Sequence, residues 1–193
     1  MTTIKETSNI DRRSFVRIHD DIYLDYLVLG EDLVESAIQE FNQQSNNHFN
    51  PINQLQAISI SSQPLLEKAK QSAPELVEYL LSVEERIQLL SQAIAQDQVG
   101  SPVVPNEKVN LSAGGLSFNS QLAHESGTLI EISIIIAPSY LHISALGAVV
   151  YCRREENEKN ESFPFRIGVE FSHIHEADRE ALGRHVDKHP KTS

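Results

Sequence analysis

Lys108-Val109-Asn110-Leu111-Ser112-Ala113-Gly114-Gly115-Leu116-Ser117-Phe118-Asn119-Ser120-Gln121-Leu122 is two short β-type runs hinged on a Gly-Gly corner. Glycine supplies the positive-φ freedom of a tight turn, so the stretch predicts a hairpin. Similar runs follow downstream. Residues 128–136 alternate, with Leu129, Glu131, Ser133 and Ile135 opposite Ile130, Ile132, Ile134 and Ile136. Residues 141–153 form a long run with Gly147 in its middle, a place for a bulge. A charged stretch, 153–161, precedes another run at 163–171. Upstream, residues 13–29 carry Ile22, Leu24, Tyr26 and Val28 on one face, and Gly30 closes the run. Short strands at even spacing predict a small antiparallel barrel. Residues 176–185 read as a polar closing helix with Ala177, Leu182 and Val186 on its apolar side.

Between the first strand and the rest, residues 31–99 change texture to helical periodicity. Val34, Ala37, Ile38 and Phe41 predict a first helix, which Asn46, Asn47 and Asn50-Pro51 end. Pro64 and Pro74 each suit a first helical turn and predict a helix start. After Pro74, Leu76, Leu80, Val83, Ile87, Leu90 and Ile94 recur at spacings of four and three. In heptad terms Leu80, Ile87 and Ile94 are a positions, and Leu76, Val83 and Leu90 are d positions. Such a stripe serves a neighbouring helix of the same chain or a seam between chains. The 3.5-residue period and the residue types suit an intermolecular seam, while Val77, Tyr79 and Leu81 widen the stripe enough for both contacts.

Composition narrows the partners. The chain has 193 residues, 40% of them hydrophobic and 22% charged, which suits a folded core. Its net charge of −11 opposes a sequence-independent grip on DNA, yet leaves room for a local arginine cluster. The segment 31–99 holds ten acids against three bases and so carries most of that charge. The single cysteine, Cys152, precludes an internal disulfide, and a reducing compartment fits. The N-terminal stretch has no signal-peptide core and no run is long enough to span a bilayer, so the expectation is a cytoplasmic protein without membrane insertion. The sequence has no G-x-x-x-x-G-K-[ST], H-E-x-x-H or G-x-S-x-G motif, and no enzymatic activity is expected. His185 and His189 have a spacing that can serve a metal, but solvated histidines near a chain end account for them, and neither a metal nor a cofactor is expected.

Two polar motifs remain. Arg13 and Arg17 stand four apart just ahead of the first strand, with Arg12 beside them. Asn110, Ser112 and Gly115 occupy the hairpin corner. Guanidinium groups fork onto phosphate oxygens or a guanine edge and stack on bases. An amide and a hydroxyl can bind a base edge or ribose, and glycine allows close approach.

Together these motifs resemble the paired signature of PilZ domains, R-x-x-x-R before the first strand and D/N-x-S-x-x-G between later strands. The stretch Phe165-Arg166-Ile167-Gly168-Val169-Glu170-Phe171, followed by a polar helix, is similar to the end of that family's barrel. The resemblance implies a mainly β fold: a six-stranded antiparallel barrel, a C-terminal helix, and a helical or coiled-coil insertion between the first two strands. The barrel would comprise residues 11–30 and 100–189, and the insertion residues 31–99. It also implies a non-enzymatic receptor for cyclic di-GMP, with Arg12, Arg13, Arg17, Asn110, Ser112 and Gly115 as ligand residues. Signalling would proceed through conformational change and protein contacts, to a partner that the sequence does not name. Family members with helical insertions here form oligomers, so a dimer or tetramer through residues 76–94 is expected. The rival expectation is a ligand-free adaptor for a motility or secretion partner.

Overall fold

The computed structural model describes residues 15–45, 50–155 and 162–188. Six antiparallel strands close into a barrel in the order β1-β2-β3-β6-β5-β4. They are β1 (Ile18–Val28), β2 (Glu107–Ser112), β3 (Gly115–Ser120), β4 (Leu129–Ile136), β5 (Leu141–Arg154) and β6 (Phe165–Ile174). Three helices lie between β1 and β2: α1 (Val34–Ser45), α2 (Pro51–Ser72) and α3 (Pro74–Val99). A last helix, α4 (Glu176–Lys188), follows β6. The architecture is therefore the expected barrel with a closing helix and a helical insertion.

Alternation decides what each strand buries. Ile18, Ile22 and Leu24 of β1 meet Val109, Leu111, Phe118, Ile130, Ile132, Ile134, Ile143 and Ile167 in the barrel interior. Ala181, Leu182 and Val186 of α4 join that core. Asp178, rather than Ala177, takes the remaining inward place on α4; it is fully buried and accepts a 2.6 Å hydrogen bond from Asn53 Nδ2 of α2. Gly147 sits at one of two register shifts between β5 and β6, as a bulge there requires.

β1 changes partners midway. Ile18 to Ile22 pair with β2, and Tyr23 to Val28 pair with β4. At the switch Asn106 imitates a strand neighbour: its side chain accepts from Leu24 N at 2.8 Å and donates to Leu24 O at 3.0 Å. Backbone groups that β2 leaves behind are thereby satisfied.

The helical insertion is rooted on the outside of the barrel. Ile52, Ala95 and Val103 bury Ile135 of β4, with Tyr23, Val99 and Tyr140 packed around them. This explains why 134–136 is an unbroken Ile run: both faces of β4 are covered there. Polar clasps add to the root. Asn53 Nδ2 donates to His142 O at 2.8 Å, Gln56 Nε2 to Ser139 O at 2.9 Å, and Gln88 Nε2 to Pro138 O at 2.9 Å.

Two helix boundaries differ from expectation. Pro51 opens α2 behind the Asn50 cap, whereas Pro64 lies inside it. Packing on α3, including Ser59 Oγ to Glu84 Oε2 at 3.1 Å, holds the helix through the lost backbone bond. Pro74 does open α3. The face of α3 buried within the chain carries Val77, Ser91 and Ala95. The heptad stripe lies beside it and is only partly covered: Leu76 is 54% exposed, Leu80 38%, Leu90 63% and Ile94 36%, while Val83 and Ile87 are half-buried and Leu80 and Val83 line a cleft against α2. Among the described residues no helix is long and apolar enough to cross a membrane.

The Gly-Gly corner folds for a different reason than the sequence predicts. Neither Gly114 nor Gly115 has positive φ. A Cβ on Gly114 would strike the Phe15 ring, at 2.7 Å from its nearest atom, and one on Gly115 would strike the Val169 carbonyl oxygen. Close approach, not turn handedness, demands glycine here. Gly115→Ala is therefore expected to lower unfolding free energy by about 1–3 kcal/mol. Chemical denaturation measures this, and an unchanged midpoint would contradict the packing.

Candidate functional site

A single register row crosses five strands: His19 opposite Asn110, Asn110 opposite Ser117, Ser117 opposite Gly168, and Gly168 opposite Tyr151. Two residues along, Arg166 of β6 faces Asn119 on one side and Arg153 on the other. With a side-chain period of two, all of these share one face of the sheet. Arg17, just ahead of β1, and Lys108 of β2 join them around a cleft of about 580 Å³, with Glu155 at its border.

The cleft is cationic within an acidic protein. Arg166 is held rigidly by β3: Nη1 donates to Asn119 Oδ1 at 3.1 Å and Nη2 to Ser117 Oγ at 3.0 Å. Glu107 Oε1 accepts from Asn119 N at 3.2 Å. Burial pushes the Glu107 carboxyl above its usual range, against the opposing pull of the Asn119 N–H and the Arg166 guanidinium. The Tyr151 ring lies against Gly168, where a Cβ could not fit, and the Arg153 guanidinium sits 5.1 Å from the ring centroid. Asn110 Oδ1 is buried with no hydrogen-bond partner among the described residues.

The expected ligand residues divide into three groups. Arg17 and Asn110 come together on the cleft. Arg12 and Arg13 lie outside the described residues. Ser112 and Gly115 build the turn that ends β2. Ser112 Oγ is buried, donating to Gly115 O at 3.0 Å and accepting from Gly114 N at 3.4 Å. The turn is tied down further, since Phe171 N donates to Gly114 O at 2.9 Å and Arg179 Nη1 to Ala113 O at 3.2 Å.

His19, Lys108, Ser117, Asn119, Tyr151 and Arg166 were not expected from the motifs. Strand alternation could have added His19 from Arg17 and Lys108 from Asn110. Hairpin register could have added Ser117. Tyr151 and Arg166 depend on the order β3-β6-β5, which no local signal carries. Elsewhere, Cys152 is a half-buried packing residue. His185 pairs with Asp20 at 2.7 Å, while His189 lies outside the described residues. Among the described residues no three His, Cys, Asp or Glu side chains are placed to hold a metal.

Comparison with known proteins fits this geometry. The sequence matches the PilZ domain family over residues 84–188, more than half of the chain. The match leaves out β1, which the insertion separates from the other strands. No curated protein matches the sequence. Among solved structures, the fold is similar to that of a pathogenic protein from Xanthomonas campestris, described as a tetrameric PilZ domain self-assembled through an unusual helical bundle. The two share 12% identity with a TM-score of 0.52, over 91% of this chain and 87% of that one. At that identity the likeness is one of fold. The family match and the barrel together make the conclusion direct: this chain belongs to the PilZ domain family.

Proposed function

We propose that the protein is a cyclic di-GMP receptor that self-associates through α3. The observation that carries the ligand reading is the row from His19 to Tyr151, which sets Arg17 and Arg166 on either side of Asn110 and Ser117. A cyclic dinucleotide presents two phosphodiester anions and two guanines. Guanidinium groups match the anions, or fork onto guanine O6 and N7. Asn110, on the cleft wall, brings an amide that suits a guanine edge. Stacking falls to Arg153 on Tyr151. The cleft volume lies within the range of small-molecule sites. PilZ domains generally receive this ligand, and Arg12 and Arg13 belong to the same family motif as Arg17. Ser112 and Gly115 then act by shaping the turn.

Self-association rests on the exposed heptad. Leu76, Leu80, Leu90 and Ile94 are large apolar side chains with a third or more of their surface exposed, beside the half-buried Val83 and Ile87. An acidic insertion resists association, so burial at about 1.5–3 kcal/mol per large side chain has to outweigh charge repulsion. The tetrameric helical bundle named for the Xanthomonas protein is consistent with this use of a helix.

Cyclic di-GMP at one hundred times its dissociation constant is expected to stabilise the fold by about 2.7 kcal/mol, read as a thermal shift. Arg17→Ala or Arg166→Ala should weaken calorimetric binding by about 2–5 kcal/mol. Unchanged affinity in both variants would overturn the site, and no binding by the wild type would favour the adaptor reading. Separately, light scattering is expected to show a dimer or tetramer, and Ile87→Glu with Leu90→Glu a monomer that still binds ligand. A wild type already monomeric at micromolar concentration would contradict the seam.

A further inference from the structure

On the far side of α2 from its α3 contacts, a second cleft of about 340 Å³ lies where the insertion meets the barrel. Ala57 and Ile60 of α2, Leu141 of β5 and Ala181 of α4 give it apolar walls. Gln56, bonded to Ser139 O, closes one side, and the Asp20–His185 pair closes another. Residues 181, 184, 185 and 188 follow helical spacing, so one face of α4 sets Arg184 and Lys188 along the same cleft. The Asp20 carboxylate is engaged by His185 at 2.7 Å, with both side chains largely buried.

Arg184, partly exposed, and Lys188, exposed, keep cationic charge available along this cleft. Among the described residues the Arg184 guanidinium has one acidic partner, Glu180 at 3.5 Å, and its Nε is buried with no hydrogen-bond partner. Lys188 has no acidic partner among the described residues. Cations near a helix C-terminus complement its dipole, but that does not explain an apolar cleft at their feet. A neutral apolar ligand would leave both cations unused, and an amine would be repelled. A polyanion would be placed against the apolar walls. The chemistry that uses every wall is one anionic head on a short apolar tail.

We propose that this cleft is a second ligand site, for a small carboxylate with an aliphatic or aromatic tail. Arg184 and Lys188 take the carboxylate, and Ala57, Ile60, Leu141 and Ala181 take the tail. Because the walls come from both the insertion and the barrel, the bound acid clamps α2 against α4. The site is separate from the cleft around Arg17 and Arg166 and does not rest on the cyclic di-GMP reading.

Octanoate is the probe, titrated into the full chain by calorimetry and by amide chemical-shift mapping. Saturable binding of one octanoate per chain is expected, with shifts at Ala57, Ile60, Ala181 and Lys188. The double variant Arg184→Gln, Lys188→Gln should bind at least tenfold more weakly, as should acetate and octylamine with the wild type. Ala57→Leu fills the cleft from α2 with both cations intact, and should weaken octanoate to the same degree. Absence of saturable binding would overturn the proposal, as would octylamine binding as tightly as octanoate. Affinity unchanged in a folded double variant and in Ala57→Leu would overturn it too.

Discussion

Barrel closure by β1 is the constraint on which the remaining structure depends. One strand must satisfy two partners, β2 through its first half and β4 through its second, although the whole helical insertion separates it from β2. Asn106 makes the change possible by completing the ladder at Leu24 where β2 departs. The candidate ligand cleft follows directly. Closure sets His19 opposite Asn110 and brings Arg17 onto the same cleft as Lys108, residues far apart in the chain. Without that pairing, the cationic face would lose the side supplied by the N-terminal end of β1.

The same constraint explains why the insertion is rooted rather than loosely tethered. Bringing the two ends of a long excursion together costs loop entropy, offset here by burial of Ile52, Ala95 and Val103 on Ile135. The base of α2 is fixed by Asn53, shared between His142 O and Asp178. Away from that root, α3 buries Val77 and Ser91 and leaves Leu76, Leu80, Leu90 and Ile94 of the heptad exposed. A surface of that kind suits assembly, whereas most of the barrel's large apolar residues lie in its interior.

Much of this was legible in the sequence, for identifiable reasons. Period-two alternation located the strands, and the Gly114-Gly115 corner located the hairpin. The corner's cause was hidden, because Phe15 and Val169 reach it from distant parts of the chain. Pro64 marked a helix start only as long as tertiary packing was ignored. Ala177 was read on the apolar side of α4 in place of Asp178, because the partner that lets Asp178 be buried, Asn53, comes from the insertion. Within the cleft, Arg17 and Asn110 were readable as motif residues. Arg166 and Tyr151 required the non-local neighbours β3-β6-β5, and the turn-shaping bonds of Ser112 required coordinates.

The most direct test of the account is to map backbone amide shifts as cyclic di-GMP is titrated into the full chain. Shifts are expected along the row His19, Asn110, Ser117, Gly168 and Tyr151, spreading to Arg166 and fading toward the exposed stripe of α3. Shifts confined to the helical insertion, or none at saturating ligand, would contradict it.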